Sequence, residues 1–188
     1  MTITAHGPAT YDDLLKLPEN VVGEIIDGEL YSSPRPAPRH ARTESALHSR
    51  LFSAYDDGNN GPGGWWILIE PELHLRADVL VPDIAGWRRE RLPNLPETAW
   101  FEIAPDWICE VLSPSTGRLD LTKKLPIYAR ENVSFAWLVD PLQKTVEIMR
   151  LSADISQLLH VYGGEEQMSA PPFEELTIDL HTVWGDEP

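Results

Sequence analysis

Cysteine occurs once in the 188 residues, at Cys109, so no disulfide can close within the chain and no cysteine-based zinc cluster can be assembled. A reducing cytoplasm is the natural setting for such a sequence. No stretch reaches the roughly 18 to 20 consecutive apolar residues that a membrane span needs. The opening MTITAHGPATYDD lacks the basic region and apolar run of a secretory signal. Basic residues are also scarce: 15 Lys and Arg stand against 30 Asp and Glu, a net charge of −15. That deficit argues against a broad electrostatic grip on phosphate backbones. It is uneven, however, because residues 151 to 188 hold eight acids and no Lys or Arg. Basic clusters survive at Arg35, Arg39, Arg42 and Arg50, at Arg88, Arg89 and Arg91, and at Arg118, Lys123, Lys124 and Arg130. Each reads either as a phosphate-facing patch or as an ordinary solvated face.

Several chemistries have no motif behind them. A phosphate-binding loop of the G-x-x-x-x-G-K type is missing, which removes the usual signature of nucleoside triphosphate hydrolysis. Ser113, Ser115 and Thr116 lie in a turn without a G-x-S-x-G context, against a serine hydrolase. Cys109 sits among apolar residues and reads as packing, not as a nucleophile. The seven tryptophans read as core and loop packing before a base-stacking platform.

What is present points to a single domain of mixed α/β type. Thr10 with Asp13 resembles a capping box for a helix through Leu17, ended by Pro18. Asp27-Gly28 between two apolar-rich runs predicts an N-terminal hairpin. PRPAP (34 to 38) should be extended, residues 39 to 55 helical, and DDGNNGPGG a loop. WWILIE (65 to 70), ELHLR (72 to 76), VLVPDIAGW (79 to 87) and DWICEVLS (106 to 113) read as strands. A helix is predicted from about Asp120, its N-cap, to Glu131, then a strand pair over 134 to 140 and 145 to 151 turning at PLQK. Beyond Ser152 the pattern weakens to one further strand at LLHVY and an acidic close.

Glu110 is the most informative residue. Ile108, Cys109, Val111 and Leu112 surround it with apolar neighbours, and a carboxylate buried there costs several kcal/mol unless paired. Asp83 ends VLVPDIA, where Pro82 interrupts the ladder and presents the side chain. Two carboxylates from neighbouring strands can share a hard cation such as Mg²⁺. The alternatives are that Glu110 faces solvent and Asp83 serves a turn. Lys124, in the helix that follows, could turn its ammonium toward these acids, but Lys123 competes with it, since adjacent helical residues point about 100° apart. Pro126 should kink that helix. His40, Glu44 and His48 fall on one helix face, either a transition-metal site or a solvated face.

The strings TYDDLLKLP, GEIIDGELY, PRPAPRH, VLVPDIAGWRRERLP, CEVLSPST, DLTKKLPIYAREN and AWLVDP, spread over residues 10 to 151, resemble the Uma-two family of restriction-endonuclease-like proteins, a branch of the PD-(D/E)xK nuclease superfamily. The resemblance implies a restriction-endonuclease-like core over residues 10 to 151, with a central mixed sheet flanked by helices, and 152 to 188 as an acidic C-terminal extension. It implies a metal-dependent DNA endonuclease using Mg²⁺, or Mn²⁺ in its place. Asp83 and Glu110 would be the ligands, and the products would carry a 5′-phosphate and a 3′-hydroxyl. Where the superfamily usually has lysine two residues after the glutamate, this chain has Leu112; the family pattern draws its lysine from the next helix, here Lys124. The same resemblance implies site roles for Glu24, completing or supporting the metal shell, and His40, contacting phosphate or the attacking water. Without the resemblance, Glu24 is a strand acid and His40 a helix-start residue. DNA as partner, a homodimer that cuts two strands, and a cytoplasmic location complete the expectation. The rivals are a catalytically silent nucleic-acid-binding or regulatory module on the same fold, and a structural or assembly protein.

Overall fold

The computed structural model of the protein describes residues 2–3, 7–114, 117–153 and 155–185, without the side chains of Thr2, Ile3 and Arg118. Ser115 and Thr116, singled out above, lie outside the described residues, as does the end of the acidic tail from 186. Among the described residues no helix is long and apolar enough to cross a membrane.

The frame is a six-stranded mixed sheet. It contains β4 (Trp65–Ile69), β7 (Ile84–Arg88), β8 (Trp107–Val111), β9 (Phe135–Asp140), β10 (Thr145–Arg150) and β11 (Gln157–Gly163), in the order β11-β10-β9-β8-β7-β4. Only β8 and β9 run parallel. Their connection carries α3 (Gly117–Leu119), a wide π-type turn over Asp120–Lys124, and α4 (Leu125–Arg130), as a parallel crossover requires. A second, antiparallel sheet holds β1 (Thr2–Ile3), β2 (Val21–Ile26), β3 (Glu29–Pro34), β5 (Leu73–Leu75) and β6 (Asp78–Leu80), in the order β1-β3-β2-β6-β5. β2 and β3 form the N-terminal hairpin; Asp27 and Gly28 both have positive φ, 52° and 78°, the signature of a type I′ turn.

β8 is buried at every position, and its alternation separates two cores. Trp107, Cys109 and Val111 face a core closed by α2 (Pro38–Leu51), its π-type extension Phe52–Asp56, and a C-terminal segment carrying Phe173, Ile178, Leu180, Val183 and Trp184. Phe173 meets Trp65, Trp107 and Trp137 edge-on at 4.9, 4.9 and 5.6 Å between ring centroids. Ile108 faces the other core, where Tyr128 and Ile127 of α4 meet Leu73, Leu80 and Ile26 of the smaller sheet. Cys109 is fully buried, in keeping with packing.

Three local expectations change. The run 79 to 87 is not one strand: β6 and β7 belong to different sheets, and Val81-Pro82-Asp83 is the crossing between them. An apolar run looks the same whether it stays in one sheet or passes to another. The first helix, α1, spans only Tyr11–Leu14, although its capping box is present. Asp120 is not an N-cap, because the crossover becomes helical three residues earlier, at Gly117. Pro126 lacks the N–H that would continue an α-helix, and the chain widens just before it: the Leu125 N–H reaches back to the Asp120 carbonyl.

Candidate active site

Sheet crossing, α2 and the widened crossover helix meet at one cleft of about 230 Å³. Glu24, His40, Asp83, Glu110 and Lys124, all proposed from the sequence, line it, together with Arg35, Glu70, Asp120 and Ser113.

Glu110 is 2% exposed, which removes the solvent-facing alternative. Its Oε1 accepts a hydrogen bond from the Tyr128 hydroxyl at 2.8 Å and lies 2.9 Å from Lys124 Nζ. Lys124, also 2% exposed, further reaches Glu24 Oε1 at 2.9 Å and Asp120 Oδ1 at 3.5 Å, and donates to the Val81 carbonyl at 3.2 Å. Glu24 Oε1 in turn accepts the Val81 N–H at 2.9 Å. Burial pulls the Lys124 ammonium toward deprotonation, but Glu110 and Glu24 outweigh it and hold its pKa well above the usual lysine range. Burial pushes the Glu110 carboxyl up, Asp120, Asp83 and Glu24 add to that push, and Lys124 opposes it. Lys123 goes elsewhere: its Nζ pairs with the exposed Asp27 at 3.2 Å.

Asp83 follows Pro82 and sits one step beyond the last β7–β8 pair, Ile84↔Cys109, so it lies opposite Glu110 where the ladder ends. Its Oδ2 accepts the Val111 N–H at 2.6 Å, satisfying a donor that a further β7 residue would otherwise meet. Oδ1 lies 3.4 Å from His40 Nε2. One turn along α2, Glu44 Oε2 is 3.9 Å from His40 Nδ1. Burial lowers the His40 pKa, but the hydrogen bond and charge of Asp83, with Glu44 and the Val111 backbone, raise it by more. Burial first, then the charges of Asp83 and Glu70, push Glu44 up to about 7, against the opposing pull of His40.

From the sequence, Glu44 falls on one helix face with His40 and His48, a transition-metal site or a solvated face, and nothing there joins it to Asp83. The four-residue spacing to His40 was the usable signal. His48 turns away, its ring nitrogen 3.2 Å from the Ile67 carbonyl. Tyr128 carried no signal in the sequence. The arginine clusters are mostly occupied in the fold. Arg42 donates to the Thr182 carbonyl, Arg89 pairs with Asp56 and stacks over Trp66, and Arg91 donates to the Ala104 carbonyl. Arg35 borders the cleft.

Residues 9–181 match the model of the Uma2 family, described as "Putative restriction endonuclease", and the chain belongs to that family. It is similar to a solved structure described as "a putative nuclease belonging to DUF820 from Anabaena variabilis ATCC 29413". The two chains are 26% identical with a TM-score of 0.76, over 94% of this chain and 98% of that one. No curated protein matches this chain.

Two measurements follow from this geometry. Replacing Lys124 by Ala leaves Glu24 and Glu110 buried without their shared cation and should cost about 3 to 5 kcal/mol in urea unfolding. Lys123→Ala removes only an exposed pair and should cost under about 1 kcal/mol; equal losses would contradict the assignment. The raised Glu44 carboxyl stabilises the fold below its ordinary value of 4.5, and that contribution is lost as pH rises through about 7. With chelator present, the stability gained by Glu44→Gln over the wild type should therefore grow from about pH 4.5 to about pH 7 and level off above it. A difference independent of pH would show that Glu44 titrates normally.

Proposed function

We propose that this protein is a nuclease that hydrolyses phosphodiester bonds in DNA with Mg²⁺, or Mn²⁺, at the cleft of Asp83, Glu110 and Lys124. The observation that carries this reading is the convergence of Glu24, Asp83, Glu110 and a buried Lys124 in one cleft of a chain belonging to the Uma2 family. Hard oxygen donors suit the cation, and two buried polar atoms beside them, His40 Nδ1 and Glu44 Oε1, have no hydrogen-bond partner, which fits a site built around a positive charge.

Asp83 and Glu110 would hold the ion at the end of the β7–β8 ladder. A cation bound there would polarise the phosphate and lower the pKa of a water molecule. The chain's own residues do the positioning. Tyr128 and Lys124 fix the Glu110 carboxylate through Oε1, and the Val111 N–H fixes Asp83 through Oδ2. Lys124 Nζ, held from Glu24, Glu110 and the Val81 carbonyl, can orient an incoming water or meet charge developing on the phosphate. His40 Nε2 can hold a proton next to Asp83 Oδ1, and Arg35 at the rim offers an approaching phosphate its first cation. A homodimer would bring two such clefts to the two strands of a duplex, and the single buried cysteine suits the cytoplasm.

The acids lining the cleft and the engaged arginines favour one alternative, a silent DNA-binding or regulatory module on this fold. Both are separated by incubating the protein with single-stranded, duplex and branched DNA and either metal. Hydrolysis should appear only with metal and fall at least about a hundredfold in Asp83→Asn and in Glu110→Gln. DNA binding that needs no metal, survives Asp83→Ala and yields no cleavage would replace the enzyme with the module.

A further inference from the structure

Asp83 divides its two oxygens between different neighbours. Oδ2 is committed to the Val111 N–H, and Oδ1 faces α2. There, one donor atom each of His40, Glu44 and Asp83 lies within 4.8 Å of the others. His40 is 9% and Glu44 6% exposed. His40 Nδ1 and Glu44 Oε1 are buried without any hydrogen-bond partner. Buried polar atoms are rarely left unmet, and two in one cluster of three side chains mark a place shaped for something the protein alone does not supply. The cluster offers two carboxylates and one imidazole. An anion would be repelled, and an apolar group would leave every donor unmet. A divalent cation satisfies all three side chains at once.

From this geometry we infer that His40, Glu44 and Asp83 form a second cation seat beside Asp83–Glu110, sharing Asp83, and that its imidazole selects a first-row transition-metal dication over Mg²⁺. Mg²⁺ takes oxygen ligands and sheds its waters reluctantly, whereas imidazole suits the first-row dications. α2 makes the seat rigid, since His40 and Glu44 stand one helical turn apart and the same helix packs Ala46, Leu47 and Leu51 into the core. Nothing comparable holds at His48, which is satisfied by the Ile67 carbonyl. The seat deepens the proposed hydrolytic reading, resting on it for its meaning, but its occupancy needs no nucleic acid.

The test uses the full chain stripped of metal and titrated with Mn²⁺ alone. Pulsed electron paramagnetic resonance of bound Mn²⁺ should show coupling to a directly ligated ¹⁴N, and labelling the wild type with ¹⁵N-histidine should change that coupling without any mutation. His40→Gln should abolish the nitrogen coupling, Glu44→Gln should weaken Mn²⁺ binding at this seat at least about tenfold, and Glu110→Gln should leave the nitrogen coupling in place. At least about tenfold more Mg²⁺ than Mn²⁺ should be needed to displace the ion. Bound Mn²⁺ without histidine nitrogen coupling, coupling that survives in His40→Gln, or wild-type affinity in Glu44→Gln would each overturn the seat. DNA cleavage by a protein that fails this test would leave the nuclease reading intact. Mn²⁺ ligated by His40 in a protein that cuts no DNA would sink the nuclease reading and keep the seat.

Discussion

An ammonium group with 2% exposure must find its counter-charges inside the protein, and Lys124 finds them on separate parts of the fold: Glu24 on β2, Glu110 on β8, and the carbonyl of Val81 where the chain leaves the smaller sheet for the larger. The cation therefore ties both sheets to the crossover helix. Each partner alone would be expensive to bury, and together they are tolerable only in one arrangement. Glu24 is held twice, by Lys124 and by the Val81 N–H, and Lys124 also meets the Val81 carbonyl, so the sheet crossing is fixed at both backbone polar groups of Val81. The fold and the cleft share one electrostatic knot.

Two prolines set where that knot can form. Pro82 cannot extend a ladder, and directly after it Asp83 turns its carboxylate back to cap the Val111 N–H. Pro126 cannot continue an α-helix inward, and the π-type turn ahead of it carries Asp120 and Lys124, both buried, into the cleft while Lys123 stays at the surface. At both prolines the departure from regular structure comes where side chains are presented to the cleft.

Much of this was legible in the sequence, for identifiable reasons. Glu110 stood out because an acid inside a short apolar run has no inexpensive interior solution, and Asp27-Gly28 marked its hairpin because few dipeptides tolerate two positive φ angles. Lys123 and Lys124 could not be separated, since their facing depends on a helix that starts at Gly117 and widens before Pro126, neither of which propensity reveals. The switch of sheets at Val81 was hidden because an apolar run reads the same in either sheet. The arginine clusters read as phosphate-facing patches or as solvated faces, and their engagement in the fold was hidden because most of their partners, such as Asp56, Thr182 and the Ala104 carbonyl, are distant in sequence. Beyond β11 the elements are too short for periodicity, and Phe173 gains its place from Tyr55 and from tryptophans on three strands, all distant in sequence.

An acidic chain with an acidic cleft meets a polyanion only if positive charge is supplied where the acids converge. The charge of Lys124 is already offset by Glu24 and Glu110, and Arg35 stands at the rim. On this account the missing charge is a divalent cation against Asp83, seated without displacing Lys124. Diffraction from crystals grown with Mn²⁺, recorded at the manganese absorption edge, tests this most directly. The account predicts an anomalous peak within coordination distance of the Asp83 carboxylate, with Lys124 Nζ still between Glu24 and Glu110. A cleft without any anomalous peak at saturating Mn²⁺, or a peak reached only by expelling Lys124 to solvent, would contradict it.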